Sequence, residues 1–83
     1  MKPEDLLQRF QRGELRNVSF EDFVRLLGSF GFQLDRVRGS HHVFYRQDLR
    51  LRLVVQPLRG QAKPYQVRQL LALVAAYDPR AEH

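Results

Sequence analysis

Eighty-three residues make one domain, 1–83, and a chain this short buries only about 60% of the surface its unfolded form exposes. No cysteine is present, which excludes disulfides and thiolate metal sites; no stretch approaches the ~20 apolar residues of a membrane span; and Lys2 is followed by Pro3, Glu4 and Asp5 rather than a signal-peptide apolar run, so a cytoplasmic location is expected. The net charge of +5 is local: residues 36–68 carry eight Lys/Arg against the single acid Asp48, whereas the flanking segments carry five against six and one against two.

Pro3 suits the first turn of a helix, and Glu4 and Asp5 suit the positive end of its dipole. Leu6, Leu7 and Phe10 fall on one side of that helix, and Gly13 stops it. Residues 1–18 therefore read as an N-terminal extension with a short helix, ahead of a core over 19–77. An isolated helix of this length is marginal in water, so its apolar edge is expected to dock on the domain or on a partner subunit. Ser19 is a good N-cap for the second helix, with Asp22 as an imperfect capping box and Val18 and Phe23 placed as a hydrophobic staple. Phe20, Phe23, Val24, Leu27 and Phe30 repeat at helical spacing and read as core, and Gly31 ends the helix.

Three strands are predicted next, over residues 32–38, 41–46 and 49–56, the first two joined by a tight Gly39-Ser40 turn. In the third, Leu49, Leu51, Leu53 and Val55 alternate with Arg50, Arg52, Val54 and Gln56, which makes one face apolar and the other largely polar and cationic. Pro57 ends that strand, and residues 58–63 read as a loop. Pro64 opens a last helix with the apolar stripe Val67, Leu70, Leu71 and Val74, and Pro79 closes it. The expected fold is α+β in the order α-α-β-β-β-α, a three-stranded antiparallel sheet with helices on one face.

The octet Gly39-Ser40-His41-His42-Val43-Phe44-Tyr45-Arg46 carries most of the chemical information. Histidine is the side chain whose ordinary pKa lets it serve as acid and base near neutral pH. A proton-transfer group inside a cationic segment points to chemistry on a polyanion, with RNA the first candidate. Strand alternation sends His41 to one face with Val43 and Tyr45, and His42 to the other with Phe44 and Arg46. The two cannot easily serve one site as an acid/base pair. His83 is terminal and is expected to take no part.

A helix ending in Leu26-Leu27, then Gly31-Phe32, Arg38-Gly39-Ser40-His41-His42-Val43-Phe44, and Gly60-Gln61-Ala62-Lys63-Pro64-Tyr65-Gln66-Val67-Arg68-Gln69-Leu70-Leu71 together resemble the HicA family of bacterial toxins over residues 20–76. The Gly-Ser-His motif after a Gly-Phe strand start, followed by a Lys-Pro helix start, carries the likeness. The resemblance implies a double-stranded-RNA-binding-domain-like fold and a small endoribonuclease, an mRNA interferase of a type II toxin–antitoxin system, with mRNA as substrate and a HicB-like antitoxin as partner in a homo- or hetero-oligomer. It places the functional histidine at His41. The chain departs from the compact family pattern in its N-terminal extension, and in Leu58 after Pro57 where the family often has a Pro-His pair.

On this reading His41 removes the proton of an RNA 2′-hydroxyl, and no metal or other cofactor is required. The alternative is that His41 packs beneath a helix or merely caps the turn. Tyr45, Lys63 or water is left to protonate the leaving group. The expected RNA-binding set is Arg36, Arg38, Ser40, Arg59, Lys63 and Arg68, with Lys63 and Arg59 contacting the backbone where the last helix begins and Tyr65 able to stack on a base. Two other classes remain open: a non-catalytic RNA-binding module, and a protein-interaction domain whose basic face docks an acidic partner.

Overall fold

The computed structural model describes residues 1–77; Pro79 and His83 lie outside them. Helix α1 spans Pro3–Gln11 and α2 spans Phe20–Ser29. Strands β2 (Gln33–Arg38), β3 (His41–Arg46) and β4 (Leu51–Val55) form an antiparallel sheet in that order, and α3 (Pro64–Tyr77) follows. The α-α-β-β-β-α order is the expected one. It is supplemented by two short strands, β1 (Val18–Ser19) and β5 (Gln61–Ala62), which pair antiparallel with Val18 opposite Ala62 and Ser19 opposite Gln61.

Local chemistry explains the element ends. Ser19 Oγ accepts the Asp22 N–H at 3.1 Å, the N-cap bond its sequence position requires. The Asp22 carboxylate in turn meets the N-terminal ammonium at 3.2 Å and Arg25 at 3.1 Å. Burial works to raise the Asp22 pKa, but hydrogen bonds from that ammonium and Ser19, with the charges of the ammonium and Arg25, hold it below the usual value. Gly31 ends α2 at φ +85°, a conformation that disfavours any residue with a Cβ. A Cβ there would also lie 3.2 Å from Arg46 Nε.

One core joins all three helices to one face of the sheet. Leu6 and Phe10 of α1, Phe23, Leu26 and Leu27 of α2, and Val67, Leu70 and Val74 of α3 are buried with Phe44, Leu53 and Val55 of the sheet. The N-terminal helix therefore docks on the domain itself. Val43 is buried on the opposite face, between its cross-strand neighbours Arg36 and Val54.

The third strand begins two residues later than expected. Gln47–Leu49 forms a 3₁₀ turn and Arg50 turns left-handed at φ 53°, so alternation starts at Leu51. The segment 58–63, expected as loop, is a hairpin: Leu58 and Gln61 exchange backbone bonds of 2.9 and 3.0 Å around Arg59 (φ 52°) and Gly60 (φ 76°). Two central residues with positive φ are the mark of a type I′ turn.

Candidate functional site

The β2–β3 hairpin sets out the two histidines. Gly39 at φ +58° supplies the left-handed residue that so tight a turn needs, and Arg38 and His41 face each other across it as the last registered pair. His41 is exposed, and its ring makes no hydrogen bond or ion pair among the described residues. His42 turns toward the helices. Its ring meets Phe20 edge-on at 4.8 Å between centroids, and Nδ1 lies 3.0 Å from the Ser40 carbonyl oxygen. A carbonyl only accepts, so Nδ1 carries the hydrogen and donates it. His42 thus clamps the turn onto the start of α2, and the alternative of a packed or capping histidine describes His42 rather than His41.

Other segments gather at this end of the sheet. The Phe20 N–H donates to the Gly60 carbonyl at 2.9 Å, so the same α2 terminus that holds His42 also holds the Arg59–Gly60 turn. One step beyond the registered pair His42 and Val55, the two strands reach His41 and Gln56. Gln66, buried to 2% exposure in the first turn of α3, faces the main chain there: with its amide turned to the orientation that satisfies both atoms, the oxygen accepts the Gln56 N–H at 2.9 Å and the nitrogen donates to the Gln56 carbonyl at 3.3 Å. This contact pins the start of α3 beside the strand end that carries His41. Lys63 immediately precedes the helix, its carbonyl accepting from Gln66 N and Val67 N at 2.9 and 3.2 Å. Its Nζ stands 5.8 Å from the centroid of the Tyr65 ring.

The fold therefore brings Arg38, Ser40, His41, Arg59 and Lys63 to one end of the molecule. Arg38, Arg59, Lys63 and Arg68 have no ion-pair partner among the described residues. Arg36 shares His41's face but is neutralised by Asp35 at 3.0 Å. Arg68 sits further along α3, exposed, where it lines a cleft with Tyr65. Arg50 and Arg52 are not gathered near His41. Arg52 registers opposite Tyr45, and Arg50 lies beyond the far end of β3, roughly 17 Å away at ~3.3 Å per residue. The same spacing puts Tyr45 about 13 Å down the strand from His41. Tyr45 is therefore not brought together with His41, whereas Lys63 lies at the same end of the sheet. No group of three or more His, Cys, Asp or Glu side chains is placed to hold a metal ion among the described residues. Gln66 escaped the sequence reading because its partner is main chain, which leaves no pattern of residue types to find.

The site is thus an exposed histidine at the head of the central strand of a small α+β domain, with Arg38, Arg59 and Lys63, none of them in an ion pair among the described residues, at the same end. The family described as the HicA toxin of bacterial toxin–antitoxin systems matches residues 20–74, and the chain belongs to it. It is the toxin of a toxin–antitoxin pair, with an antitoxin as partner. No curated protein and no solved structure matches it. No helix among the described residues is long and apolar enough to cross a membrane.

Proposed function

We propose that the protein is a metal-independent endoribonuclease that cleaves mRNA through His41 and is held inactive by a HicB-like antitoxin. The observation that carries the reading is the division of labour between adjacent histidines. His42 is committed to Phe20 and Ser40, while His41 stands free in solvent beside Arg38. The order of the core from α2 to α3 is compatible with the double-stranded-RNA-binding-domain shape. Residues 1–18 are read as an extension of that core.

In this mechanism His41 accepts the proton of the 2′-hydroxyl as its oxygen attacks the adjacent phosphorus. The bond from phosphorus to the 5′-oxygen breaks, Lys63 or water protonates the leaving oxygen, and the products are a 2′,3′-cyclic phosphate and a free 5′-hydroxyl. Arg38, Arg59 and Lys63 supply positive charge to the phosphorane-like transition state. Arg36, Ser40 and Arg68 complete the RNA-binding set. Arg36 contributes least, because Asp35 already satisfies its guanidinium.

The test is cleavage of a defined RNA by purified protein. His41→Ala should abolish cleavage with the circular dichroism spectrum unchanged. Cleavage by the wild type should survive excess EDTA. Full activity in folded His41→Ala, an absolute need for Mg²⁺, or 5′-phosphate ends would overturn the mechanism.

A further inference from the structure

A second cationic feature lies away from His41. A cleft of about 700 Å³ runs between the segment that links α1 to β1 and the first turns of α3. Its walls carry Arg9, Arg16, Asn17, Tyr65 and Arg68, with Glu14 as the one acid. Glu14 is already engaged by Arg9 at 3.7 Å and Arg12 at 3.6 Å. Arg9 also donates to the Arg16 carbonyl at 2.9 Å, which fixes the turn that presents Arg16. The Arg16 and Arg68 guanidinium groups have no ion-pair or hydrogen-bond partner among the described residues. Tyr65, 54% exposed, stands between this cleft and Lys63.

We infer that this cleft is a subsite for single-stranded RNA, holding a nucleotide that flanks the one cleaved, its base on Tyr65 and its phosphates at Arg16 and Arg68. The inference rests on the RNA-cleaving reading above and extends it. The volume suits a nucleotide, since small-molecule sites run from about 300 to 1,000 Å³. An exposed aromatic ring between unpaired cations is how proteins hold single strands without reading sequence: the ring takes a base face and the cations take the backbone. An acidic protein would use the same cations but has no need of an exposed tyrosine face. Lys63, against the Tyr65 ring, connects the cleft to the sheet end that carries His41. Most of the cleft's lining comes from residues 9–17, ahead of the matched family region at 20–74. The N-terminal segment is thereby assigned a role in gripping substrate.

The test is equilibrium binding, by fluorescence anisotropy, of the full chain to a labelled single-stranded 2′-O-methyl RNA of about ten nucleotides, which cannot be cut. Arg16 holds Arg9 through its main chain, so changing its side chain leaves that bond in place. Arg16→Glu should weaken binding about tenfold or more at low salt and flatten the log–log salt slope by about 0.7, the signature of one lost phosphate contact on a single strand. Arg16→Lys should keep most of the affinity. Tyr65→Ala should weaken binding about five- to a hundredfold, and Tyr65→Phe should restore most of it, because the ring and not the hydroxyl does the stacking. Thermal melts confirm that each variant is folded. Unchanged affinity in both Arg16→Glu and Tyr65→Ala, with unmodified RNA still cut by the wild type, would overturn the cleft and leave the His41 mechanism standing. A wild type that neither binds this strand nor cleaves unmodified RNA would overturn both. Intact RNA affinity with lost antitoxin association in the same variants would reassign the cleft to that protein and overturn the RNA subsite.

Discussion

His41 and His42 differ in their surroundings because successive side chains on a strand point to opposite faces. Two side chains of one chemical type thus yield two separable measurements. His42→Ala removes a ring contact with Phe20 and a hydrogen bond to Ser40, each worth about 0.5–1.5 kcal/mol. It should lower Tm by several degrees, since about 1 kcal/mol moves a domain of this size by roughly 4–8 °C. His41→Ala removes an exposed ring with no hydrogen bond or ion pair among the described residues, and should leave Tm within about a degree while removing cleavage. Calorimetry and an RNA assay on the same two proteins check the split; equal Tm losses would mean that His41 also supports the turn. The division was legible from alternation alone. What His42 would touch was not, because Phe20 and Ser40 meet it only once the sheet has been laid against α2. The distance of Arg50 and Arg52 from His41 was hidden for a related reason: charge counted along a segment ignores that a hairpin sends its two ends in opposite directions.

The elements were readable where a local signal fixes them. Ser19 caps α2 with its own hydroxyl, Gly31 stops it with a left-handed backbone, and Leu51, Leu53 and Val55 alternate inward. Elements made by distant partners left no such trace. The two-residue strands β1 and β5 exist only because Val18 and Ser19 meet Ala62 and Gln61 across most of the chain. The fate of α1 also needed the structure, since an apolar edge on a short helix fits a docked helix or a partner's contact equally well. Its Leu6 and Phe10 prove to be core residues, 1% and 4% exposed. Leu6→Ala should therefore cost about 2–5 kcal/mol, a large share of the stability of so small a domain. Deleting residues 1–14 should cost at least as much, and urea melts of the two variants measure both. A deletion with unchanged midpoint would show that the core closes over the gap left by α1.

At the scale of the whole molecule, charge is concentrated where the chemistry is proposed. Unpaired Arg38, Arg59 and Lys63 sit at one end of the sheet; Glu21 and Asp22 follow Phe20 in the first turn of α2 at the same end, but Asp22 is already paired with the N-terminal ammonium and Arg25. An antitoxin that silences the proposed site must cover His41 or the cations around it, and an acidic surface is the simplest cover. Such a partner is steered by the field before it touches, so rim charges act mainly on the association rate. Arg59 stands exposed at the tip of a type I′ turn, whereas Lys63 is half-buried against Tyr65. Arg59→Glu should thus slow association more than Lys63→Glu, and both should slow association more than they speed dissociation. Arg36→Glu should do less, because Asp35 already cancels much of the Arg36 charge. Surface plasmon resonance with the antitoxin at low and high salt resolves the two rates. The wild-type association rate should fall steeply with salt, and the Arg59→Glu rate should fall less steeply from a lower start. An association rate indifferent to salt and to these reversals would place the antitoxin on another surface, acting by distortion and not by covering His41.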